Sequence, residues 1–144
     1  MAKMKANMKQ LLILTVLVLA GCGEQTAEDI MKEVNAHGTL TVRQAEIIVQ
    51  NQEQSAHDQP LYLNGLTSIN DAQAESLSRV PFLRLYGLTS INDQQAESLS
   101  KATYLDLNGL TSITDQQAAS LSKVYDLEIS ETLQPLIDKY KKQQ

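Results

Sequence analysis

The sequence contains a single cysteine, Cys22, among its 144 residues. One thiol cannot form a disulfide framework or a cysteine metal cluster, so neither can hold this fold together. Only two histidines occur, His37 and His57, and neither has a partner at a metal-ligand spacing or a Ser/Asp constellation near it. No glycine-rich phosphate loop is present. We therefore expect no metal, no cofactor and no enzymatic activity.

The sequence also has no apolar run long enough to cross a bilayer. The predominantly apolar stretch from Leu11 to Ala20 would extend only about 15 Å as a helix, roughly half of the hydrocarbon core. Three lysines precede this stretch, and the small-residue sequence Leu19-Ala20-Gly21-Cys22 ends it. A charged start, a short apolar run and small residues are typical of a secretory signal.

Leu19-Ala20-Gly21-Cys22 resembles the lipobox of bacterial lipoproteins. The resemblance implies that residues 1–21 are a signal peptide and that Cys22 becomes the lipidated first residue of the mature chain. Each buried methylene contributes about 0.8 kcal/mol, so two or three acyl chains would anchor the protein in the cell envelope essentially permanently. Gly23 rather than Asp follows, which by the same resemblance favours the outer membrane in a bacterium with two membranes. The alternative for Cys22 is a buried position on a packing helix.

The start of translation stays open, because the signal remains intact whether the chain begins at Met1, Met4 or Met8.

Cleavage before Cys22 makes the chain more acidic. It removes three of the 12 Lys and Arg residues and none of the 17 Asp and Glu residues, which leaves 9 basic against 17 acidic residues. An acidic surface repels phosphate backbones, so we expect no nucleic-acid partner. Membrane contact is expected through the lipid at Cys22 and not through surface charge.

One phrase occurs three times in register, beginning at Leu61, Leu83 and Leu105, so the chain repeats with a period of twenty-two. A fixed period of this length means that each unit must bury its apolar face against its neighbours. In each unit an LxL alternation predicts a strand of three or four residues, and a helix of about nine residues follows. The fold class is therefore an α/β repeat, a short strand-helix solenoid with parallel strands over residues 61–130.

Each predicted helix begins with a capping box, in which a cap residue and a glutamine three positions later satisfy each other's backbone N–H groups. The pairs are Asn70 with Gln73, Asn92 with Gln95, and Thr114 with Gln117. An aspartate follows each cap, at the end of the helix where the dipole favours negative charge. The Thr-Ser pair before each cap is expected to satisfy the backbone of the turn; a nucleophilic role, and with it a hydrolase, is the weaker interpretation.

The flanks are predicted to close the two ends of the repeats. Residues 22–60 contain the lipidated N-terminus, a helix that begins at Thr26 and ends at Gly38, a second helix capped by Thr41, and a polar loop from Asn51 to Pro60. At the other end, Leu127-Glu128-Ile129 predicts a fourth strand, and residues 131–144 predict a C-terminal capping helix.

The strand followed by Leu-Thr-Ser-Ile resembles bacterial leucine-rich repeats of the BspA-like type. The phrase occurs at Leu66–Ile69, Leu88–Ile91 and Leu110–Ile113, and the resemblance covers residues 61 to about 130. It implies a leucine-rich-repeat fold and a role in recognition at cell surfaces.

If equivalent strands stack in parallel, equivalent side chains form ladders about 4.8 Å apart. Aromatic and arginine residues grouped on one open face are typical of protein-binding surfaces. The candidate binding residues are Tyr62, Asn64, Phe82, Arg84, Tyr86, Tyr104, Asp106 and Asn108. Alternatively, these side chains only satisfy one another across strands. We therefore predict a lipid-anchored protein-interaction module with a protein partner in the envelope, and, as the alternative, a structural envelope lipoprotein without a dedicated ligand.

Overall fold

Two helices precede a series in which short strands and short helices alternate. In the computed structural model, residues 25–54 and 59–143 are described. The elements in chain order are α1 (Ala27–His37), α2 (Val42–Gln54), β1 (Leu61–Tyr62), α3 (Asp71–Leu77), β2 (Phe82–Arg84), α4 (Asp93–Leu99), β3 (Tyr104–Leu107), α5 (Asp115–Leu121), β4 (Asp126–Ile129) and α6 (Gln134–Lys141).

The four strands form one parallel sheet in the order β1-β2-β3-β4. Leu61 pairs with Leu83, Leu83 with Leu105, and Leu105 with Leu127, so each strand is offset from the next by one full sequence period. The α/β class and the parallel pairing are confirmed, and the arrangement is consistent with a strand-helix repeat. The predicted fourth strand is present as β4, whereas β1 has only two residues.

The core lies between the sheet and the helices. Within each unit the leucines of the LxL alternation are completely buried, as Leu83 and Leu85 show. Ala96 and Leu99 of α4 close the core from the helical side and are equally buried. Neighbouring helices pack in chain order from α1 to α6, so every unit covers the apolar face of the next. Full burial of one leucine contributes roughly 1.5 to 3 kcal/mol.

The capping boxes predicted for the three repeat helices are all formed. In α4, for example, the Asn92 side chain accepts a hydrogen bond from the Gln95 N–H at 2.7 Å, and the Gln95 side chain accepts one from the Asn92 N–H at 3.0 Å. These helices are seven residues long and not nine. Each ends at a serine, such as Ser100, whose hydroxyl donates to the carbonyl three residues earlier and so competes with continued helical hydrogen bonding.

The predicted bounds of α1 and the predicted start of α2 are present. Thr26 forms a capping box with Asp29, and Gly38 ends α1 in the left-handed conformation at φ 72°. Thr41 caps α2 through Gln44. The Asn35 side chain lies against the edge of the sheet, where it donates to the Tyr62 carbonyl at 3.3 Å and accepts from the Gly65 N–H at 2.8 Å.

At the C-terminal end, α6 packs on α5 and buries Ile137 completely. Lys139 and Tyr140 both donate to Oδ1 of Asp115, at 3.0 and 2.8 Å. These hydrogen bonds lower the pKa of Asp115 and tie the last helix to the first turn of α5.

The prediction of a loop from Asn51 to Pro60 is wrong for residues 51–54, because α2 continues to Gln54. Ile48 and Val49 on one face of α2 are buried, and the polar residues after them continue the outer face of the same helix. Cys22, the signal sequence and His57 lie outside the described residues. Within the described ranges, no helix has both the length and the apolar character needed to cross a membrane.

Candidate functional site

Side chains at alternate strand positions point away from the core and form the strand face, defined here as the eight candidate binding residues together with Glu128. The pairs Tyr62–Arg84, Arg84–Asp106 and Asp106–Glu128 stand opposite one another, as the sequence predicts. Tyr62 and Tyr86 are 47% and 40% exposed. Asn64 and Asn108 are also exposed, whereas Phe82, Arg84 and Tyr104 are half-buried. The fold therefore brings the predicted residues to one side of the sheet.

Arg84 occupies the centre of the strand face. Its guanidinium carbon lies 5.4 Å from the ring centroid of Tyr62 and 5.2 Å from that of Tyr104. Both distances are within the range of cation–π attraction, which is worth about 0.5 to 1 kcal/mol at exposed sites and more when water is excluded. Phe82 packs on Tyr104 with ring centroids 6.5 Å apart. The rings thus hold the guanidinium in place.

Asp106 differs from the expectation that its side chain would be exposed, because it is completely buried. One carboxylate oxygen accepts hydrogen bonds from the backbone and side-chain nitrogens of Asn108 at 3.2 and 2.9 Å. The other, Oδ2, has no hydrogen-bond donor of normal geometry and lies 3.9 Å from Nη1 of Arg84. The short Asp106 side chain is thus buried beside Asn108 and Arg84 on the strand face.

The pKa values of two tyrosines beside Asp106 are raised, for different reasons. The interaction of the Tyr86 hydroxyl with the Asp106 carboxylate, and then the charge of that carboxylate, raise the pKa of Tyr86. Burial first, followed by the interaction with the Glu128 carboxylate, raises the pKa of Tyr104, whose hydroxyl makes no hydrogen bond of normal geometry. Both hydroxyls therefore stay protonated at neutral pH; the Tyr104 hydroxyl is buried, whereas Tyr86 is exposed.

A close backbone approach sets the path of the chain after each strand. A Cβ atom on Gly109 would lie 1.9 Å from the Tyr86 carbonyl oxygen, so only glycine fits at this position. The turn after β3 is thereby held tightly against the turn after β2. This contact sets the distance between Tyr86 and Asn108, which directly precede Gly87 and Gly109.

A second set of contacts, at the starts of the repeat helices, was not foreseen. Besides capping its own helix, Gln95 donates from Nε2 to the Ile69 carbonyl of the preceding unit at 2.9 Å, and Gln117 does the same to Ile91 at 3.0 Å. Gln73 donates to the Leu40 carbonyl in the equivalent way. The capping-box spacing identified these glutamines, but it carries no signal for a bond to another unit.

The remaining candidates that the structure describes lie outside the strand face. The hydroxyls of Thr67 and Thr111 donate to the Gly38 and Thr89 carbonyls, which belong to the preceding segment and not to their own turns. His37 lies in the last turn of α1. Across residues 25–54 and 59–143, no group of three or more His, Cys, Asp or Glu side chains could hold a metal ion.

The strand face offers exposed rings, hydroxyl donors and one guanidinium held between two tyrosines. Such a surface is suited to contact with another molecule, because its larger groups are ordered before binding and lose little side-chain entropy. Comparison of the chain with protein-family models, with curated proteins and with solved structures finds no match.

Proposed function

We propose that the protein is a bacterial envelope lipoprotein, anchored through Cys22, and that its strand face binds a protein partner. The anchor rests on the charged start, the short apolar run and the Leu-Ala-Gly-Cys sequence. In this proposal the domain is a short leucine-rich-repeat-like solenoid. The parallel sheet, with a register offset of one sequence period at every junction, supports that assignment.

The observation that carries the binding role is the stack of Tyr62, Arg84 and Tyr104, with Tyr86 beside it. Tyrosine and arginine dominate the residues that contribute most to protein binding. Tyr62 and Tyr86 expose 47% and 40% of their surface. Within the described residues, the exposed large aromatic side chains are Tyr62, Tyr86 and Tyr125. The first two of these lie beside Arg84.

The size of the face limits the strength of binding. Four short strands about 4.8 Å apart offer a few hundred Å², less than the roughly 800 Å² that each partner contributes to a standard stable interface. A single copy is therefore expected to bind with at best micromolar affinity. Many copies anchored in one membrane gain avidity against a multivalent partner without any new contact.

A structural envelope lipoprotein without a dedicated ligand is the second candidate function. It is favoured by the position of Asp106, 3.9 Å from Arg84, because these charges can be explained as mutual compensation. In that case the strand face serves only the stability of the sheet, and the repeats act as a spacer.

Photocrosslinking in intact cells separates the two functions. We expect an adduct between the strand face and one envelope protein, and Tyr62→Ala, Arg84→Ala and Tyr86→Ala should each reduce it. Arg79→Ala is the matched control, since Arg79 lies beyond α3, half-exposed and 3.9 Å from Glu53. Unchanged adducts in all three variants, with normal protein levels, would contradict the binding role and favour the spacer.

A further inference from the structure

The two edges of the sheet differ in whether their backbone groups have hydrogen-bond partners. At the β1 edge, the Asn35 side chain donates to the Tyr62 carbonyl and accepts from the Gly65 N–H, so these two backbone groups already have partners. At the other end, β4 pairs with β3 on one side only. Within the described residues, no backbone hydrogen bond reaches the outer side of β4. An edge of this kind is a template for another strand.

The earlier strands show which groups β4 offers. The N–H groups of Leu63 and Leu85 donate to the following strand, to the carbonyls of Arg84 and Asp106, at 3.0 and 2.9 Å. The position one period after Leu85 is in β3, and the next equivalent position is Ile129 in β4. The N–H of Ile129 therefore points to the open edge.

The same comparison gives the acceptor. The carbonyls of Pro81 and Thr103 accept from the N–H groups of Tyr104 and Asp126 in the following strand, at 2.8 and 3.0 Å. The next equivalent residue is Tyr125, whose side chain is 88% exposed. An exposed aromatic side chain thus directly precedes β4. The open edge offers the same donor and acceptor positions that each preceding pair of strands uses.

The charges along this edge are of one sign. Asp126 and Glu128 point to the strand face from β4, are both exposed, and make no ion pair within the described part of the chain. In the ladder before them, Arg84 is balanced by Asp106, but Glu128 has no cation beyond it. A strand with basic residues at alternate positions would place its charges opposite both carboxylates, whereas an acidic strand would be repelled.

We propose that an extended segment of the partner protein, with lysine or arginine at alternate positions, adds to β4 as a fifth parallel strand. This names the chemistry of the partner for the interaction module proposed above and so rests on that function. A second copy of this chain is a poorer occupant. Its β1 edge is closed by Asn35, and pairing of two β4 edges would bring four carboxylates together. In strand addition, backbone hydrogen bonds supply the affinity, and contacts of alternate side chains supply the selectivity.

The test uses the full-length chain in detergent, with amide chemical shifts as the readout. The probe is a blocked pentapeptide of alternating lysine and valine, and its glutamate-valine counterpart is the comparison. We expect the basic peptide to shift the amides of Leu127 and Ile129 and to protect the Ile129 amide from hydrogen exchange. Asp126→Asn combined with Glu128→Gln should weaken binding about two- to thirtyfold, from two cross-strand charge pairs. Glu131→Gln, an exposed residue just after β4, should leave it unchanged.

Three results would overturn the inference. They are equal binding of the two peptides, binding of the basic peptide that shifts only Tyr62 and Tyr86 amides, and no binding of the basic peptide at all. None of these decides the proposed function, which stands or falls with the cellular adduct at Arg84 and its neighbours. If the adduct persists while the pentapeptide fails, the partner lies across the strand face and does not extend the sheet.

Discussion

Gln95 offers a direct measurement of how strongly neighbouring units hold one another. Its side chain is buried and makes two hydrogen bonds of different kinds. Oε1 accepts from the Asn92 N–H at 3.0 Å and caps its own helix, while Nε2 donates to the Ile69 carbonyl of the preceding unit at 2.9 Å. Gln95→Glu keeps the first bond, because glutamate serves equally well in a capping box, and removes the second.

The expected loss of stability follows from the polar groups that the substitution leaves without partners. At neutral pH the substitution places a buried carboxylate oxygen against the Ile69 carbonyl and leaves that carbonyl without a donor. An unsatisfied buried polar group costs about 1 to 3 kcal/mol, and a buried charge costs more. We expect the free energy of unfolding to fall by about 2 to 4 kcal/mol. Gln44→Glu is the control, because Gln44 caps α2 at 2.9 Å from the Thr41 N–H but its amide donates at 3.3 Å to the exposed Glu33. Its cost should be about 1 kcal/mol or less.

Urea unfolding of both variants and the wild type, at several pH values, provides the assay. Burial against a carbonyl raises the folded-state pKa of the introduced carboxyl group above its unfolded value. The variant is therefore closest to wild type below the unfolded pKa, where the protonated group can donate to Ile69, and loses stability as the pH rises through the folded pKa. Equal denaturation midpoints for Gln95→Glu and Gln44→Glu at neutral pH would show that the bond between units contributes nothing.

Three further predictions concern the core, the anchor and the tyrosines. Leu85→Ala or Leu107→Ala, both at fully buried positions, should each lower the free energy of unfolding by about 2 to 5 kcal/mol, and thermal unfolding within a degree or two of wild type would refute the inward register. Cys22→Ser should block acylation and leave the signal uncleaved, as fatty-acid labelling of cells and the apparent mass will show. Because the pKa values of Tyr86 and Tyr104 are raised in the folded state, stability should decrease as the pH rises from about 10 toward those values, and spectrophotometric titration should give Tyr104→Phe one late-ionising group fewer than wild type.

Much of the fold follows from spacing alone. Leucines two positions apart predict a strand with a buried face, and their recurrence once per period sets the register in which Leu83 stands between Leu61 and Leu105. Cap and glutamine spacing likewise locates the helix starts, because both partners of a capping box lie within one turn. The same spacing does not predict the helix ends, since the serine that ends α4 forms a local hydrogen bond that apolar periodicity does not reveal.

The candidate site shows where such reasoning stops. Alternation predicts that Asp106 points to the strand face, but it does not predict that the side chain is covered. Asn108 turns back to hydrogen-bond it, and Arg84 of the preceding unit lies 3.9 Å from its carboxylate. The closure of the β1 edge by Asn35 has a similar origin, since 27 and 30 residues separate Asn35 from its partners.

The glutamine bonds also bear on how the length of such a chain changes over generations. Leu40, Ile69 and Ile91 supply the same backbone acceptor, although Leu40 belongs to the N-terminal cap and the other two to full units. A duplicated unit would carry its own glutamine, and the unit before it would supply the carbonyl that accepts this hydrogen bond. Unequal recombination between the gene segments that encode these similar units can therefore add or remove a whole unit without breaking a junction. Length is then a trait that selection can adjust in single steps, while both terminal caps stay as they are.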